Sequence, residues 1–410
     1  MNKSIASLLV LVFLTASCIN ATLPVHASSK MIIVPDDYPT VFSAIGNATA
    51  GDTIFVKKGT YEGTINQTLV IDKSISLIGE DANNTKIILH PPWVATGEFR
   101  PSGTSLEPVY AYANPIKISA SNVTFSGFTI TSNDGNFYVN GNNNQIRDNI
   151  ITIGLTVGGS EQNIFQNILT ESIQCVGSHA DICKNSFEGS GVLVNVVSYS
   201  NTICGNTLAD GYGIQLVGNG NTVFNNTVEN SKQGVGVLGS DASNNIFYSN
   251  TVVNNDIGLV VASEGGNNLF YANYLANNTI GASIEYHFPV GSNNTFYHNN
   301  FVGNAQQVQY WDRSYDAAYF DNGKEGNYWS DYNGTDNNND GIGDVPYMIY
   351  APHLADPYRQ DRYPLMVPFD VENGSIINTE SFPTTLVAVS IATVAVIGVG
   401  LLVYFKKRKR

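Results

Sequence analysis

The chain has 410 residues, of which 13% are charged and 43% hydrophobic, with a formal charge of −14. So few charges exclude a long helical or coiled-coil protein, and the hydrophobic share excludes a disordered one. The acidic balance argues against nucleic acid as a partner.

Residues 1–27 read as a secretory signal: Lys3 supplies the positive start, residues 5–14 the apolar stretch, and Val25-His26-Ala27 the small-residue cleavage site. Residues 31–130 are expected to form an N-terminal cap and the first coils of a solenoid. From Pro39 to Ile45 the pattern predicts a short amphipathic helix with Pro near its start, placed to cover the first coil. Strands are expected at 53–56, 69–71, 75–78 and 86–89. Residues 91–115, rich in Pro, Gly and Tyr, read as an insertion leaving one coil.

Over residues 131–304 a hexad recurs, apolar-x-x-Asn-x-apolar. Its asparagines are Asn149, Asn167, Asn185, Asn206, Asn226, Asn250, Asn273 and Asn299, at intervals of 18, 18, 21, 20, 24, 23 and 26 residues. A second short strand, Gly-x-x-apolar, follows in most coils, as in Gly154 to Val157 and Gly213 to Leu216. Short β-branched segments punctuated by Gly and Asn at this period predict a parallel β-solenoid with a buried asparagine ladder. In this reading Asn takes the left-handed corner itself and bonds its neighbours along the axis. Two places before the ladder asparagines from Asn167 on stand Phe165, Cys183, Cys204, Phe224, Tyr248, Tyr271 and Tyr297. Stacked coils turn that series into a stripe. Facing out, Tyr248, Tyr271 and Tyr297 would offer ring faces to sugars; facing in, the Phe residues would be core. Cys183 and Cys204, one coil apart, lie within disulfide reach, which leaves Cys175 free.

Residues 305–370 lose the repeat, turn aromatic and acidic, and read as a C-terminal cap. Within them Asp336-x-Asn338-x-Asp340-Gly341-x-x-Asp344 matches the early positions of a calcium loop, without the Glu of an EF-hand at the twelfth. Ca²⁺ is the cofactor this motif suggests, against the plainer reading of a hydrated acidic turn. Residues 371–385 read as a polar stalk. Residues 386–405 are an uncharged apolar run of 20, long enough to span a bilayer as one transmembrane helix. The basic residues 406–410 would stay inside, so the expectation is a single-pass type I protein of the cell membrane. The mature ectodomain then carries roughly −20.

Several stretches resemble one family. Ile33-Val34-Pro35-Asp36-Asp37-Tyr38-Pro39-Thr40, Gly51-Asp52-Thr53-Ile54-Phe55-Val56 and Gly59-Thr60-Tyr61 look like the opening of pectin-lyase-like β-helix proteins. Gly326-Asn327-Tyr328-Trp329-Ser330-Asp331-Tyr332, Asp340-Gly341-Ile342-Gly343-Asp344 and Asp361-Arg362-Tyr363-Pro364-Leu365 resemble the closing segment of NosD-like surface proteins, common in archaea. The resemblance implies an all-β, right-handed parallel β-helix of the carbohydrate-binding and sugar-hydrolase type. That architecture hosts lyases, hydrolases, adhesins and copper-site accessory proteins alike.

Lyases of this fold use Ca²⁺-binding acids with an Arg or Lys base, and hydrolases use clustered carboxylates. Between residues 140 and 300 the cations are only Arg147, Lys184 and Lys232, and the acids repeat at no fixed coil position. Glu285, His287 and His298 are the candidate catalytic cluster, against a reading as polar residues of a late coil. Copper needs soft or imidazole ligands together. Among the mature His and Met residues only His287 and His298 could pair, across coils, so copper is not expected. The expectation is therefore a non-catalytic surface protein binding glycans or envelope components. The alternatives are a polysaccharide lyase or glycosidase, and a NosD-like copper accessory. Nine mature sequons permit N-glycosylation in a suitable host.

Overall fold

A computed structural model describes residues 29–102, 105–188, 193–239, 242–263, 265–285, 293–311, 318–351, 358–371 and 375–376. The expected signal (1–27), transmembrane run (386–405), basic tail (406–410) and His287 lie outside the described residues. Among the described residues no helix is long and apolar enough to cross a membrane.

Two compact units divide the chain after Ile168. In each, one coil contributes a strand to each of three parallel sheets, which is the arrangement of a parallel β-helix. In the first unit, the first sheet runs in the order Met31–Val34, Thr53–Val56, Ser76–Gly79, Thr124–Ser126, Gln145–Arg147, Asn163–Phe165. Its helix, Val41–Asn47, is capped by Thr40, whose side chain accepts from the Ser43 N–H while Ser43 reaches back to the Thr40 N–H. Pro39 thus precedes the helix instead of opening it. Val41, Ala44 and Ile45 are the buried face. The insertion is an antiparallel hairpin, Trp93–Ser102 with Ser105–Tyr112.

In the second unit the first sheet runs Asp181–Cys183, Thr202–Cys204, Thr222–Phe224, Ile246–Tyr248, Leu269–Tyr271, Thr295–Tyr297. The winding goes past residue 304, where the repeat fades in sequence: Gln306–Tyr310 extends the third sheet and Tyr328–Trp329 the second. Each short strand turns one apolar residue inward, and these stack coil upon coil. Phe247, Phe270, Phe296 and Phe320 form one such column, with ring centroids 4.7, 4.6 and 5.2 Å apart. Each is fully buried, and burial of such a ring contributes on the order of 2–3 kcal/mol. Where the third sheet begins, backbones approach so closely that side chains are excluded. A Cβ on Gly258 would lie 2.6 Å from the Gly281 carbonyl, and one on Gly281 2.6 Å from that of Gln307.

The ladder asparagines are buried, and each amide is fully engaged. Asn250 Oδ1 accepts from the backbone N–H (3.1 Å) and Nδ2 (3.0 Å) of Asn226. Its own Nδ2 donates to the Val223 carbonyl and to Asn273 Oδ1, each at 2.9 Å. The same pattern links Asn185, Asn206, Asn226, Asn250, Asn273 and Asn299 in the second unit, and Asn149 to Asn167 in the first. A rung needs one acceptor and two donors at once, which Asn supplies and Asp or Ser cannot. The left-handed corner is not the rung itself but the residue before it. Asp148, Gln166, Lys184, Gly205, Asn225, Ser249, Ala272 and His298 have φ between 53° and 62°.

Two further ladders run beside the first. Asn201, Asn221, Asn245, Asn268 and Asn294 link five residues ahead of it, and Asn255, Asn278 and Asn304 five residues behind.

Candidate functional site

The stripe two places before the first ladder faces outward in the second unit, Phe residue included. Phe224, Tyr248, Tyr271 and Tyr297 are half-buried on the outer face of the first sheet. Their rings lie parallel, with centroids 4.9, 5.2 and 5.5 Å apart and interplanar angles of 3–10°. The coil spacing of about 4.8 Å imposes this, because identical positions on paired strands must stack. The ring faces are therefore engaged with one another, and no sugar can pack between them. What remains available is a row of ring edges. The hydroxyls of Tyr248, Tyr271 and Tyr297 make no hydrogen bond among the described residues. Burial, and then the neighbouring tyrosines, push the Tyr271 hydroxyl above its ordinary range; burial does the same to Tyr297. Both remain neutral groups able to donate and accept.

The row is partly covered by the chain itself at Tyr271, its third ring. Leu365 and Phe369 pack with Ala272 against Tyr271 and Tyr328. Phe369 stacks on the His298 ring at 4.2 Å. The Asn300 amide holds both the N–H and the carbonyl of Phe369, each at 2.8 Å.

Glu285 and His298 are not brought together. Glu285 follows the third-sheet strand Ile280–Ile284 and accepts from Ser283 Oγ at 2.7 Å. His298 sits at the corner between the first and second sheets, with Nε2 2.8 Å from Glu325 Oε2. Sequence reasoning placed Glu285 and His287 on one face because strand residues two apart share a face, and His287 lies outside the described residues.

In the Asp336–Asp344 loop the carboxylates already serve the loop's own donors. Asp336 accepts from the N–H groups of Asp340 (3.2 Å) and Gly341 (2.9 Å). Asp340 accepts from Asn338 Nδ2 (3.0 Å) and the Ile342 N–H (2.9 Å), and Asp344 from the Asn337 N–H at 2.8 Å. Among the described residues no three His, Cys, Asp or Glu side chains converge to hold a metal ion.

Cys183 and Cys204 are joined as a disulfide, with Cα atoms 4.5 Å apart. Cys175 is buried, and burial pushes its thiol up to about 11. In the first unit, sequence reasoning overlooked an open cleft of about 680 Å³ lined by Pro35, Asp36, Phe55, Lys57, Tyr61 and Glu80. Of its two lysines, Lys57 and Lys58, the first is already committed, with Lys57 Nζ 2.6 Å from Asp36 Oδ2.

The profile of a family described as "Periplasmic copper-binding protein (NosD)" matches residues 45–287 and 177–334. Two curated relatives, each named "Probable ABC transporter binding protein NosD", come from Stutzerimonas stutzeri and Pseudomonas aeruginosa. They are 48% and 43% identical over 67 residues, 16% of this chain and 15% of each relative. The chain thus spans about 15% of the length of the curated relatives it matches. Among solved structures, the A-module of Azotobacter vinelandii mannuronan C-5 epimerase AlgE6 aligns at 15% identity with a TM-score of 0.49. That alignment covers 68% of this chain and 93% of the module. The tailspike of E. coli bacteriophage HK620, in complex with a pentasaccharide, aligns at 13% identity and a TM-score of 0.49, covering 71% and 60%.

The soft and imidazole donors that the copper of the family description would need are dispersed or already engaged among the described residues. His90 is bonded to Glu62 and Asn133, His298 to Glu325, and His179 lies edge-on to Tyr199. Met31 and Met348 are exposed singly. The disulfide leaves Cys183 and Cys204 no thiolate. In this oxidised form the described donors do not fit a copper ion, which requires soft or imidazole ligands in a cluster.

Proposed function

The chain belongs to the NosD family, and from that premise we propose that it is a surface β-helix protein that binds a polysaccharide without cleaving it. One observation carries the reading: Tyr248, Tyr271 and Tyr297 present three hydroxyls in register, with no protein partner among the described residues and ring spacings of 5.2 and 5.5 Å. A polymer of sugars laid along such a row finds a hydrogen-bonding group at every coil, so weak contacts add by repetition. Binding is by ring edge and hydroxyl, since the ring faces are engaged with one another. The separation of Glu285 from His298 supports a non-catalytic role, because general acid–base chemistry needs both groups within reach of one bond. The apolar run 386–405 would hold the domain at the membrane, outside the cell.

The test uses the purified full-length protein in detergent on a panel of neutral and acidic polysaccharides, with and without Ca²⁺. Binding, new reducing ends and unsaturated products are recorded together. The expected result is retention of a polymer without cleavage, lost in a Tyr248→Phe, Tyr271→Phe, Tyr297→Phe triple variant of unchanged melting temperature. Cleavage of any polymer would replace this reading with a lyase or glycosidase. Retention by the triple variant would move the site elsewhere.

A further inference from the structure

We propose that Ser283, Glu285, Gln309 and Trp311, on the outer face of the third sheet in the second unit, form a binding site for an uncharged or amine-bearing pyranose unit. The strands Ile280–Ile284 and Gln306–Tyr310 pair in the register Ala282↔Val308, Ser283↔Gln309, Ile284↔Tyr310. Successive strand residues face opposite ways. Ala282, Ile284, Val308 and Tyr310 are the buried inward set, so Ser283 and Gln309 turn outward, as do Glu285 and Trp311 one step past each strand. The pairing carries on to those last two, because the Trp311 N–H donates to the Ile284 carbonyl at 3.1 Å. Four side chains therefore share one patch, two from each coil.

Trp311 is 48% exposed, yet it is not loose. Its Nε1–H donates to Ser283 Oγ at 2.8 Å, and Ser283 Oγ donates in turn to Glu285 Oε1 at 2.7 Å. Ser283 is fully buried, and a hydroxyl has one proton to give. The two bonds therefore fix its direction, and with it the placing of the indole against the carboxylate. A large ring held in position before a ligand arrives loses little freedom on binding. Unlike the tyrosines of the first sheet, Trp311 has no other ring stacked on it among the described residues. The apolar C–H face of a pyranose can pack on such a ring.

Two acceptors beside the ring decide the class of sugar. Glu285 Oε2 receives no hydrogen bond among the described residues, and Glu285 is half-buried. Gln309 Oε1 is buried and has no hydrogen-bond partner. A buried acceptor without a donor is uncommon, and here it lies beside an open ring and a carboxylate, where a ligand O–H or N–H would complete it. Hydroxyls suit both acceptors. An ammonium suits them better, since the carboxylate makes a charge-assisted bond and the indole face attracts a cation. A uronate would set its own carboxylate against Glu285 and is rejected. The site stands on the third sheet and the tyrosine row on the first, so neither depends on the other.

The full-length protein in detergent is titrated in a calorimeter with β-1,4-linked oligomers of glucosamine, glucose and galacturonate. The expected order is glucosamine tightest, glucose weaker and galacturonate undetected. Trp311→Ala should abolish binding of both donor sugars, and Glu285→Gln should weaken the glucosamine oligomer about tenfold while changing the glucose oligomer less. Ser283→Ala, which frees the indole without touching the sugar, should weaken both, with an unchanged melting temperature showing that the coil is intact. Tryptophan fluorescence should be quenched by the glucosamine oligomer in the parent and in Trp93→Phe. The Tyr248→Phe, Tyr271→Phe, Tyr297→Phe variant should bind all three oligomers as the parent does, which separates this site from the tyrosine row. Binding of galacturonate as tight as glucosamine, binding that survives Trp311→Ala, or silence with both donor sugars would each overturn the proposal.

Discussion

The backbone N–H of Asn327 donates to Asp361 Oδ2 at 2.7 Å, so the first asparagine ladder of the second unit ends on a carboxylate. Asn299 donates to Asn327 Oδ1 in the way every earlier rung donates to the next, and Asp361 takes the place where a further Asn would stand. It also accepts from Trp329 Nε1 at 2.9 Å and from the Tyr363 N–H at 3.0 Å. Asp361→Ala would strip three buried donors of their acceptor, and is expected to cost about 3–5 kcal/mol. Asp361→Asn keeps an acceptor oxygen and should cost about 1–2 kcal/mol. Urea unfolding of the two variants checks the order; equal costs would mean the ladder does not depend on this closure.

Asp361 also imposes a pH dependence. Burial pushes its carboxyl up to about 6, against the hydrogen bonds from Asn327, Trp329 and Tyr363 that lower it. A carboxyl raised in the folded state favours folding most when protonated, so its contribution is full below about pH 4 and lost as the pH rises through 6. The size is about 3 kcal/mol at most, from roughly two pK units. The charged neighbours are Arg362 and its partner Asp321. Melting temperatures of the parent and of Asp361→Asn across pH 4 to 7 should converge toward the upper end. Parallel curves would remove Asp361 as the cause.

Asp321 works in the opposite sense. Burial raises its carboxyl, but hydrogen bonds from Arg362 outweigh that and hold it below the usual range. The guanidinium is bidentate, Nε at 2.9 Å and Nη2 at 2.5 Å, on a carboxylate that is 3% exposed. This stability is present above the ordinary aspartate range and lost as the pH falls through the lowered value. Arg362→Ala leaves the carboxylate buried without its cation and should cost about 3 kcal/mol. Arg362→Lys cannot restore the fork and should recover less than half of that in thermal melts.

These end contacts show where sequence reasoning stops. The ladder was legible because its asparagines recur in phase with apolar neighbours, and paired positions on consecutive coils must stack. The same logic brought Cys183 next to Cys204 and made a stripe of the tyrosines, but not its direction, since inward and outward residues alternate in strands too short to show their phase. The two companion ladders were legible as well and were missed: Asn245, Asn250 and Asn255 stand five apart, as do Asn268, Asn273 and Asn278. Asp361 stood out only within the closing-segment resemblance and not as the end of the ladder, because its partners lie 32 and 34 residues away, outside the repeat.

Assigning the left-handed corner to the residue before each rung makes two neighbouring positions respond in opposite directions. Ser249 has φ 53°, a conformation that costs a non-glycine residue about 1 kcal/mol, so Ser249→Gly should raise stability by up to that amount. At Asn250 every polar atom is engaged, and Asn250→Ala would leave the Asn226 N–H and the Val223 carbonyl without partners, at about 3 kcal/mol. Asn250→Asp tests the donors alone. It keeps the acceptor for Asn226 but sets a carboxylate against the Val223 carbonyl and Asn273 Oδ1, two acceptors at 2.9 Å. It should destabilise at least as much as alanine at neutral pH and recover in part in acid, as the carboxyl gains a proton to donate. Urea midpoints of the three variants at pH 7 and pH 4 separate these effects. If Asn250 itself needed the left-handed turn, Asn250→Gly would be the mild substitution and Ser249→Gly would change nothing.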